Sequence, residues 1–595
     1  MSNASLDKKD AQKASGIKAS LLNQWSWVRG YSGVTFSDDL LAAIIVTILL
    51  VPQSLAYALL AGLPPQVGIY VSIFPVVAYT LFGSSNYLNV GPTAVISLMT
   101  AAIIVTLPPE IRLVSAAALA LMTGIVLLLA GIFRAGFVMN FVSRPVVSAY
   151  ITGAALLIVF SQLKHIFGIS ADGGTVLALW NDLTAKIGST NKAALFIGLS
   201  AIVILWILQK YLALWLTKLK IRSRNAKLIA RMGPIVVIAF YICVSEIYDF
   251  AGQYGVRVVG EVPAGLPPLS FPMLSLSQFE DLLFPAIVIA IVAFVDSTST
   301  AQKLASRARE RTDSDKELLG LGASNLVAGL TGGYPINGSM SRSAVNFTAG
   351  GKTPFVGVLV ASFMALIAVF FTPIVEHLPL AVLAALIIVA CFNLFDFKSL
   401  VRTYRYSRGD GITAIATLLA VLLLGVQWGV LVGVVLAMAL HIRSTLKPNI
   451  VPVGRFPGTQ HYRDAVKFNV ETHEKVKTLR IDESLYFANA RYLEDHIAKL
   501  VSESPEMTDL ILMCTAVNHI DASALSSFIE INKRLRSAAI NLHFSDMQSR
   551  VKERLYRSSL IDELTGTIFL SQHEAMEALE PEPDFDQFSD HMDMH

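Results

Sequence analysis

The residues with the most chemistry to offer lie in one polar stretch, Thr331 to Asn346, set between long apolar runs. It holds five hydroxyl side chains, two amides, four glycines or prolines and one arginine, Arg342. Irregular backbone cannot face lipid, so such a stretch must be buried in protein or line a wet cavity. Its glycines and Pro335 permit a re-entrant loop, and Ser339 or Ser341 can cap a short helix that follows. The start of a helix presents free N–H groups and a positive dipole end, which together favour an anion. Met340, Ser341 and Arg342 fall in that first turn, and the arginine adds a permanent charge and a planar fork suited to oxyanions.

Three further groups match this chemistry. Pro52 kinks an apolar helix beside Gln53 and Tyr57, which share a face four residues apart and can donate to a substrate or bond to neighbouring helices. In Asn89-Val90-Gly91-Pro92-Thr93-Ala94, Pro92 suits a helix start, so Thr93 and Ala94 open an opposing half-helix aimed at the same point. Asp296 is a carboxylate inside an apolar span, a costly placement that calls for a function. With Thr300 one turn on, it can ligate a small hard cation such as Na⁺; alternatively burial makes it a proton carrier, or it pairs with Arg342.

These residues need a membrane scaffold, and the composition supplies one. The 595 residues are 54% hydrophobic and 15% charged, against about 25% charged for a soluble protein. The net charge of +3 sits in short loops and gives no sign of a nucleic-acid partner. Cys243, Cys391 and Cys514 lack metal-ligand spacing and form no disulfide framework. No signal peptide, phosphate-binding loop, dinucleotide fingerprint or nucleophile elbow appears, which argues against an enzyme and against ATP-driven transport.

Hydropathy predicts spans near 40–60, 67–82, 92–107, 113–133, 144–168, 193–216 and 230–250. A second series falls near 281–302, 316–331, 340–350, 354–373, 380–395, 410–426 and 427–444. The third span of each series is shorter than the ~20 residues of a full crossing and is interrupted by Gly or Pro. Short broken spans at matching positions of two halves are the mark of an inverted-repeat transporter with a midplane site. The fold class is therefore an α-helical polytopic membrane protein with fourteen transmembrane segments in two inverted repeats of seven. Basic clusters at 218–224, 303–311, 398–408 and 443–447 follow even-numbered spans, which puts both termini in the cytoplasm of a plasma (inner) membrane protein.

The divisions are an N-terminal arm over 1–38 with a surface helix near Leu21–Val28, a membrane domain over 39–447, a small α/β domain over 455–580, and an acidic tail over 581–595. Strand-like runs at 476–481, 485–488 and 510–514 alternate with helical patterns at 490–502 and 522–538. Asp521 and Ser523 read as helix caps and His519 as a loop residue.

Taken together, Val51 to Tyr57, Val90 to Ala94, Gly153 with Ser161-Gln162-Leu163, Glu317-Leu318 through Asn325, and Gly338 to Asn346 resemble the SulP family over about 38–580. That family includes sulfate permeases, bicarbonate transporters and prestin. The resemblance implies core and gate domains, a homodimer and a C-terminal STAS domain. It also implies an anion site built from Tyr57 and the segments around Thr93–Ala94 and Ser339–Arg342, with Asp296 as the coupling acid. Tyr57 and the run Ser341 to Asn346 look like sulfate permeases, whereas Asp296 with Thr300 looks like sodium–bicarbonate symporters. The expected function is cation-coupled (H⁺ or Na⁺) symport of an inorganic oxyanion, sulfate before bicarbonate. An uncoupled channel or exchanger is the alternative. Ala522 stands where anti-sigma antagonists carry a phosphorylated serine. Beyond Na⁺ as a coupling ion, no cofactor is implied.

Overall fold

The computed structural model describes residues 26–579 apart from 105–106, 138–142, 172, 174, 221–225, 227–229, 231, 261–262, 274 and 371–374. Most of the expected surface helix near Leu21–Val28, part of the basic cluster 218–224 and the acidic tail lie outside the described residues. The chain divides into two compact units, with the division between Ala437 and Met438.

In the membrane unit the first seven segments are α1 (Gly33–Leu60), the pair α2 (Pro65–Tyr70) and α3 (Phe74–Phe82), α4 (Ala94–Ile104), α5 (Pro109–Ile132), α6 (Arg144–Phe167), then, after the amphipathic α7 (Val176–Lys186), α8 (Lys192–Lys218) and α9 (Gly233–Ile247). The second seven are α10 (Leu276–Ala308), α11 (Ser314–Leu330), α12 (Met340–Ala349), α13 (Phe355–Phe370), α14 (Leu380–Cys391) and, after α15 (Phe397–Tyr406), α16 (Arg408–Leu424) and α17 (Val426–Thr445). Among the described residues, seven helices are long and apolar enough to cross a bilayer. The others are shorter, and α4 and α12 have only 11 and 10 residues. The fold class is therefore the expected one: a helical membrane protein of fourteen segments.

Each short helix follows a two-residue strand, β1 (Val90–Gly91) before α4 and β2 (Asn337–Gly338) before α12. The strands pair antiparallel, Val90 with Gly338 and Gly91 with Asn337. This ribbon hydrogen-bonds the two non-helical stretches to each other, so neither leaves bare backbone in the bilayer. Asn325 of α11 clamps the second stretch from behind: its Nδ2 donates to the Ile336 carbonyl at 3.0 Å and its Oδ1 accepts from the Ile336 N–H at 2.9 Å.

Helix α11 lies against α5 through small residues. A Cβ on Gly124 would stand 2.5 Å from the Leu326 nitrogen, and one on Gly322 2.7 Å from the Leu128 nitrogen. Glycine lets these backbones meet, which fixes the frame behind β2. Helix α1 contains Pro52, which cannot donate to the carbonyl four residues back. Gln53, next to it, reaches Arg342 of α12.

The second unit contains a five-stranded sheet in the order β4-β3-β5-β6-β7: β3 (Ile450–Arg455), β4 (Tyr462–Asp464), β5 (Val476–Ile481), β6 (Asp509–Met513) and β7 (Asn541–Ser545). Strands β5, β6 and β7 run parallel, linked by α18 (Ala490–Glu503) and α19 (Ala522–Ser537) and followed by α20 (Ser549–Tyr556) and α21 (Gln572–Leu579). Parallel neighbours need crossover helices, and the apolar faces of α18 and α19 bury Leu493, Ile497, Phe528, Ile531 and Leu535 in one core.

Candidate functional site

The starts of α4 and α12 meet at the ribbon. Their first intrahelical bonds are Ser97 N–H to the Thr93 carbonyl and Ser343 N–H to the Ser339 carbonyl, both 3.0 Å. The N–H groups of Ala94 to Ile96 and of Met340 and Ser341 come before those bonds, so they form two sets of donors with no partner inside their own helices. Ser339 caps α12, accepting from the Arg342 N–H, while Met340 and Ser341 are exposed to the space in front of it.

Among the described residues, Arg342 is the largest fully buried side chain. Its Nε donates to Asn89 Oδ1 at 2.9 Å, and its Nη1 donates to the Pro92 carbonyl at 2.9 Å and to Gln53 Oε1 at 3.1 Å. All three acceptors are neutral, and no carboxylate among the described residues lies within ion-pair distance. Its Nη2 is buried and has no hydrogen-bond partner. A buried cation without a counter-charge is costly, and a buried donor left unmade adds to that cost. An anion would remove both penalties.

Gly91 is required here for two reasons. Its φ is +150°, and a Cβ would come 3.3 Å from Arg342 Nη2, into the space in front of the free donor. Tyr57, almost fully buried on α1, has no hydrogen-bond partner for its hydroxyl among the described residues. Gln53, which reads from sequence as a donor to substrate or a bond to a neighbouring helix, accepts from Arg342 with its carbonyl oxygen.

Asp296 does not pair with Arg342. Its Oδ2 accepts from Asn337 Nδ2 at 2.8 Å, and Asn337 Oδ1 in turn accepts the Thr93 hydroxyl. One amide therefore joins the acid of α10 to the residue that opens α4. The Thr300 hydroxyl faces Met340 Sδ at 3.7 Å, so Asp296 and Thr300 have different partners and no hydrogen bond links them. The neighbouring Thr298 hydroxyl is buried without a partner.

Sequence reasoning passed over Asn89, Asn337, Ser97, Tyr334 and Glu317. Tyr334 is fully buried and accepts from Ser97 Oγ at 3.2 Å, which ties the loop to α4. Glu317 is fully buried and accepts from the Tyr79 hydroxyl at 2.7 Å and from the Ser84 N–H and hydroxyl at 3.0 and 2.7 Å. Asn89 and Asn337 sit beside glycine and proline in motifs already of interest. Their side chains became legible only once the ribbon gave them partners.

In the second unit, Asp521 caps α19 by accepting from the Ala524 N–H at 2.9 Å, and Ala522 begins the helix. His519 is a loop residue, as expected, and its Nδ1 faces Arg554 Nη1 at 3.0 Å.

Comparison with known proteins identifies the family and the fold. A sulfate permease family model matches residues 36–417, and a STAS domain model matches 467–575. A probable sulfate transporter of Arabidopsis thaliana is 32% identical over 569 residues, covering 93% of this chain and 82% of its own. A probable sulfate transporter of Mycobacterium tuberculosis is 30% identical over 566 residues, covering 93% and 96%. The solved structure of SLC26A9 superposes with a TM-score of 0.88 at 23% identity, over 98% of this chain and 97% of that one. The transmembrane domain of the cyanobacterial bicarbonate transporter BicA gives 0.58 at 22% identity, over 68% and 98%. At these identities the two structures bear on the fold alone.

Proposed function

The chain belongs to the sulfate permease family, and from that premise we propose that it is a secondary active transporter carrying sulfate with a coupling cation, H⁺ or Na⁺. The family consists of transporters, not enzymes, and the relatives named for sulfate cover nearly the whole chain. The observation that carries the reading is Arg342, a fully buried cation with one free donor where two helix starts meet. Sulfate would accept from Arg342 Nη2, from the Tyr57 hydroxyl and from the leading N–H groups of α4 and α12. Gln53 and Asn89 act behind the arginine, holding its fork in one orientation.

Asp296 is the residue for the coupling cation. A proton or Na⁺ there changes what the carboxylate asks of Asn337, and Asn337 passes that change to Thr93 at the mouth of α4. Cation and anion then favour each other's binding without touching, as symport requires. Thr300, turned towards Met340, would have to rotate to join a Na⁺ site, so the geometry favours a proton over sodium at Asp296. The same reading makes it a multi-pass protein of the plasma membrane and a homodimer with both termini in the cytoplasm.

Uptake of labelled sulfate and of labelled bicarbonate into proteoliposomes tests the reading, with an inward H⁺ gradient, an inward Na⁺ gradient or neither. Proton-driven sulfate accumulation is the expected result. Sodium-driven bicarbonate uptake would move the assignment to a bicarbonate symporter. Equal flux in all three conditions would move it to a channel or exchanger.

A further inference from the structure

The second unit begins within α17, at Met438, and the chain enters its sheet at one end. Thr445 closes α17, whose apolar run Trp428–Thr445 is long enough to cross a bilayer. Arg443 and Lys447 flank Thr445, the placement expected where a span leaves hydrocarbon at the cytoplasmic surface. Shortly afterwards Ile450 opens β3 opposite Ile481, the last residue of β5. The loop after β5 is bonded back to this exit: the Tyr486 hydroxyl donates to the Thr445 carbonyl at 3.5 Å and Asn489 Nδ2 donates to it at 3.4 Å. Strands β5, β6 and β7 are parallel, so the loops after β6 and β7 leave the sheet on this same side.

That edge is basic and aromatic. Helix α20 follows β7 and carries Arg550, Arg554 and, just past its end, Arg557, at spacings that share one face. With Asn518 and His519 of the loop after β6 they line a surface groove of about 350 Å³. Arg554 is held in place, its Nη1 donating to the Ile520 carbonyl at 3.0 Å and facing His519 Nδ1. Arg550 and Arg557 are exposed, and no described carboxylate is within ion-pair distance of either, although Glu553 borders the same groove. Phe487 is 75% exposed beside them, its N–H donating to Asp521 Oδ2 at 2.9 Å. Tyr556 of α20 is also exposed, with Lys552 Nζ 5.8 Å from its ring. Exposed rings among long cationic side chains suit the headgroup layer of a membrane, which accommodates both.

We propose that this edge of the second unit is a docking surface for the anionic lipid headgroups of the bilayer that α17 crosses. Arg550 and Arg557 would meet lipid phosphates, for which a guanidinium offers a matching fork, and Phe487 would rest at headgroup depth. The acidic run at the end of the chain competes by charge, but it departs from the opposite end of the sheet. Helix α21 ends at Leu579, packed in the cluster with Val476, the first residue of β5. Position therefore favours the bilayer, whose cytoplasmic leaflet is negative. The inference is independent of which anion the protein carries.

The test is hydrogen exchange on the full chain in lipid nanodiscs, one set of phosphatidylcholine alone and one with phosphatidylglycerol added. Amides of 550–557 and 518–521 should exchange about fivefold more slowly in the anionic discs. High salt should remove the difference, because screening weakens exposed charge pairs. An Arg550→Gln/Arg557→Gln variant should exchange alike in both discs, and each single variant should lose part of the difference. Exchange at Leu510–Leu512 of β6 should match the wild type in every variant, which shows that the sheet is intact. Equal exchange of the wild type in the two discs overturns the docking surface and leaves the arginines to an acidic protein. Equal slowing by inorganic phosphate added to phosphatidylcholine discs also overturns it, in favour of a site for the free anion. Sulfate uptake is not the readout, so failure of the transport reading and failure of the docking surface are separate results.

Discussion

Two polar clusters, one in each unit, differ in a single respect. At the ribbon, Arg342 has three neutral acceptors and one buried donor with none. At the edge of the second unit's sheet, Asp509 accepts from the Thr508 hydroxyl, the Asn541 amide and His543 Nε2, and His543 Nδ1 accepts the Thr567 N–H at 3.0 Å. The second cluster is complete within the protein, since each partner has a partner. The first is complete only with an anion added. Residue types alone would have ranked them the other way, because His, Asp and Asn together look more catalytic than an arginine among amides. What separates a ligand site from a structural network here is the unmade bond.

That contrast predicts where substitutions act. The largest effect belongs to Arg342. Arg342→Ala should lower sulfate uptake at least 100-fold, about 2.7 kcal/mol of lost stabilisation. Arg342→Gln, which can keep some bonds to Asn89 and Gln53, should lose nearly as much, because the charge is gone. Arg342→Lys should recover only part of it, because an ammonium cannot span Asn89, Pro92 and the anion together. Uptake by Arg342→Gln within threefold of wild type would end the contrast between the clusters.

Next in size is the bridge between the cation and anion regions. Asn337→Ala removes the side chain that hydrogen-bonds both Asp296 and Thr93, so uptake should fall about tenfold and lose much of its dependence on the cation gradient, on the order of 1.4 kcal/mol of coupling. The readout is the ratio of uptake with and without the gradient. A merely structural asparagine would lower both rates and leave the ratio alone. Thr93→Val cuts the same relay at its other end while keeping size and shape, and should shift the ratio by about threefold. Loss of a single neutral hydrogen bond is worth about 1 kcal/mol.

The sequence made some of this legible and hid the rest for physical reasons. Long apolar runs announce spans because lipid demands about 20 apolar residues, and the short runs of α4 and α12 stood out against that length. Arg342 and Asp296 were visible because a charge inside an apolar run has no bland explanation. Their partners were not, because β1 and β2 pair across almost 250 residues and no periodicity records such a contact. The alternative in which Asp296 pairs with Arg342 is not what the structure shows. Asn337 stands between the acid and α4, and neutral acceptors surround the arginine. Of the two readings open for Gln53, the structure shows a bond to a neighbouring helix, through its oxygen to Arg342. In the second unit, strand and helix alternation was enough to expect an α/β domain, whereas the Asp509–His543 pair depends on the register of β6 with β7.

The smallest effect falls on the completed cluster and should touch stability alone. Partial burial raises the Asp509 carboxyl, but hydrogen bonds from Thr508, Asn541 and His543 outweigh it and hold the group below the ordinary carboxylate range. A folded-state value below the unfolded one adds stability above about pH 4, and that stability disappears as pH falls through the depressed value. Asp509→Asn should therefore weaken the β6–β7 region at neutral pH by about 0.5 kcal/mol, a modest figure because the group is largely open to solvent screening. Amide exchange at Leu542 to Phe544 in the full chain should quicken roughly twofold at pH 7, and the difference from wild type should close in acid below the carboxylate range. Sulfate uptake should stay unchanged. If Asp509→Asn altered uptake as strongly as Asn337→Ala, a cluster with every bond made would be acting in transport, and the unmade bond at Arg342 would no longer distinguish the two.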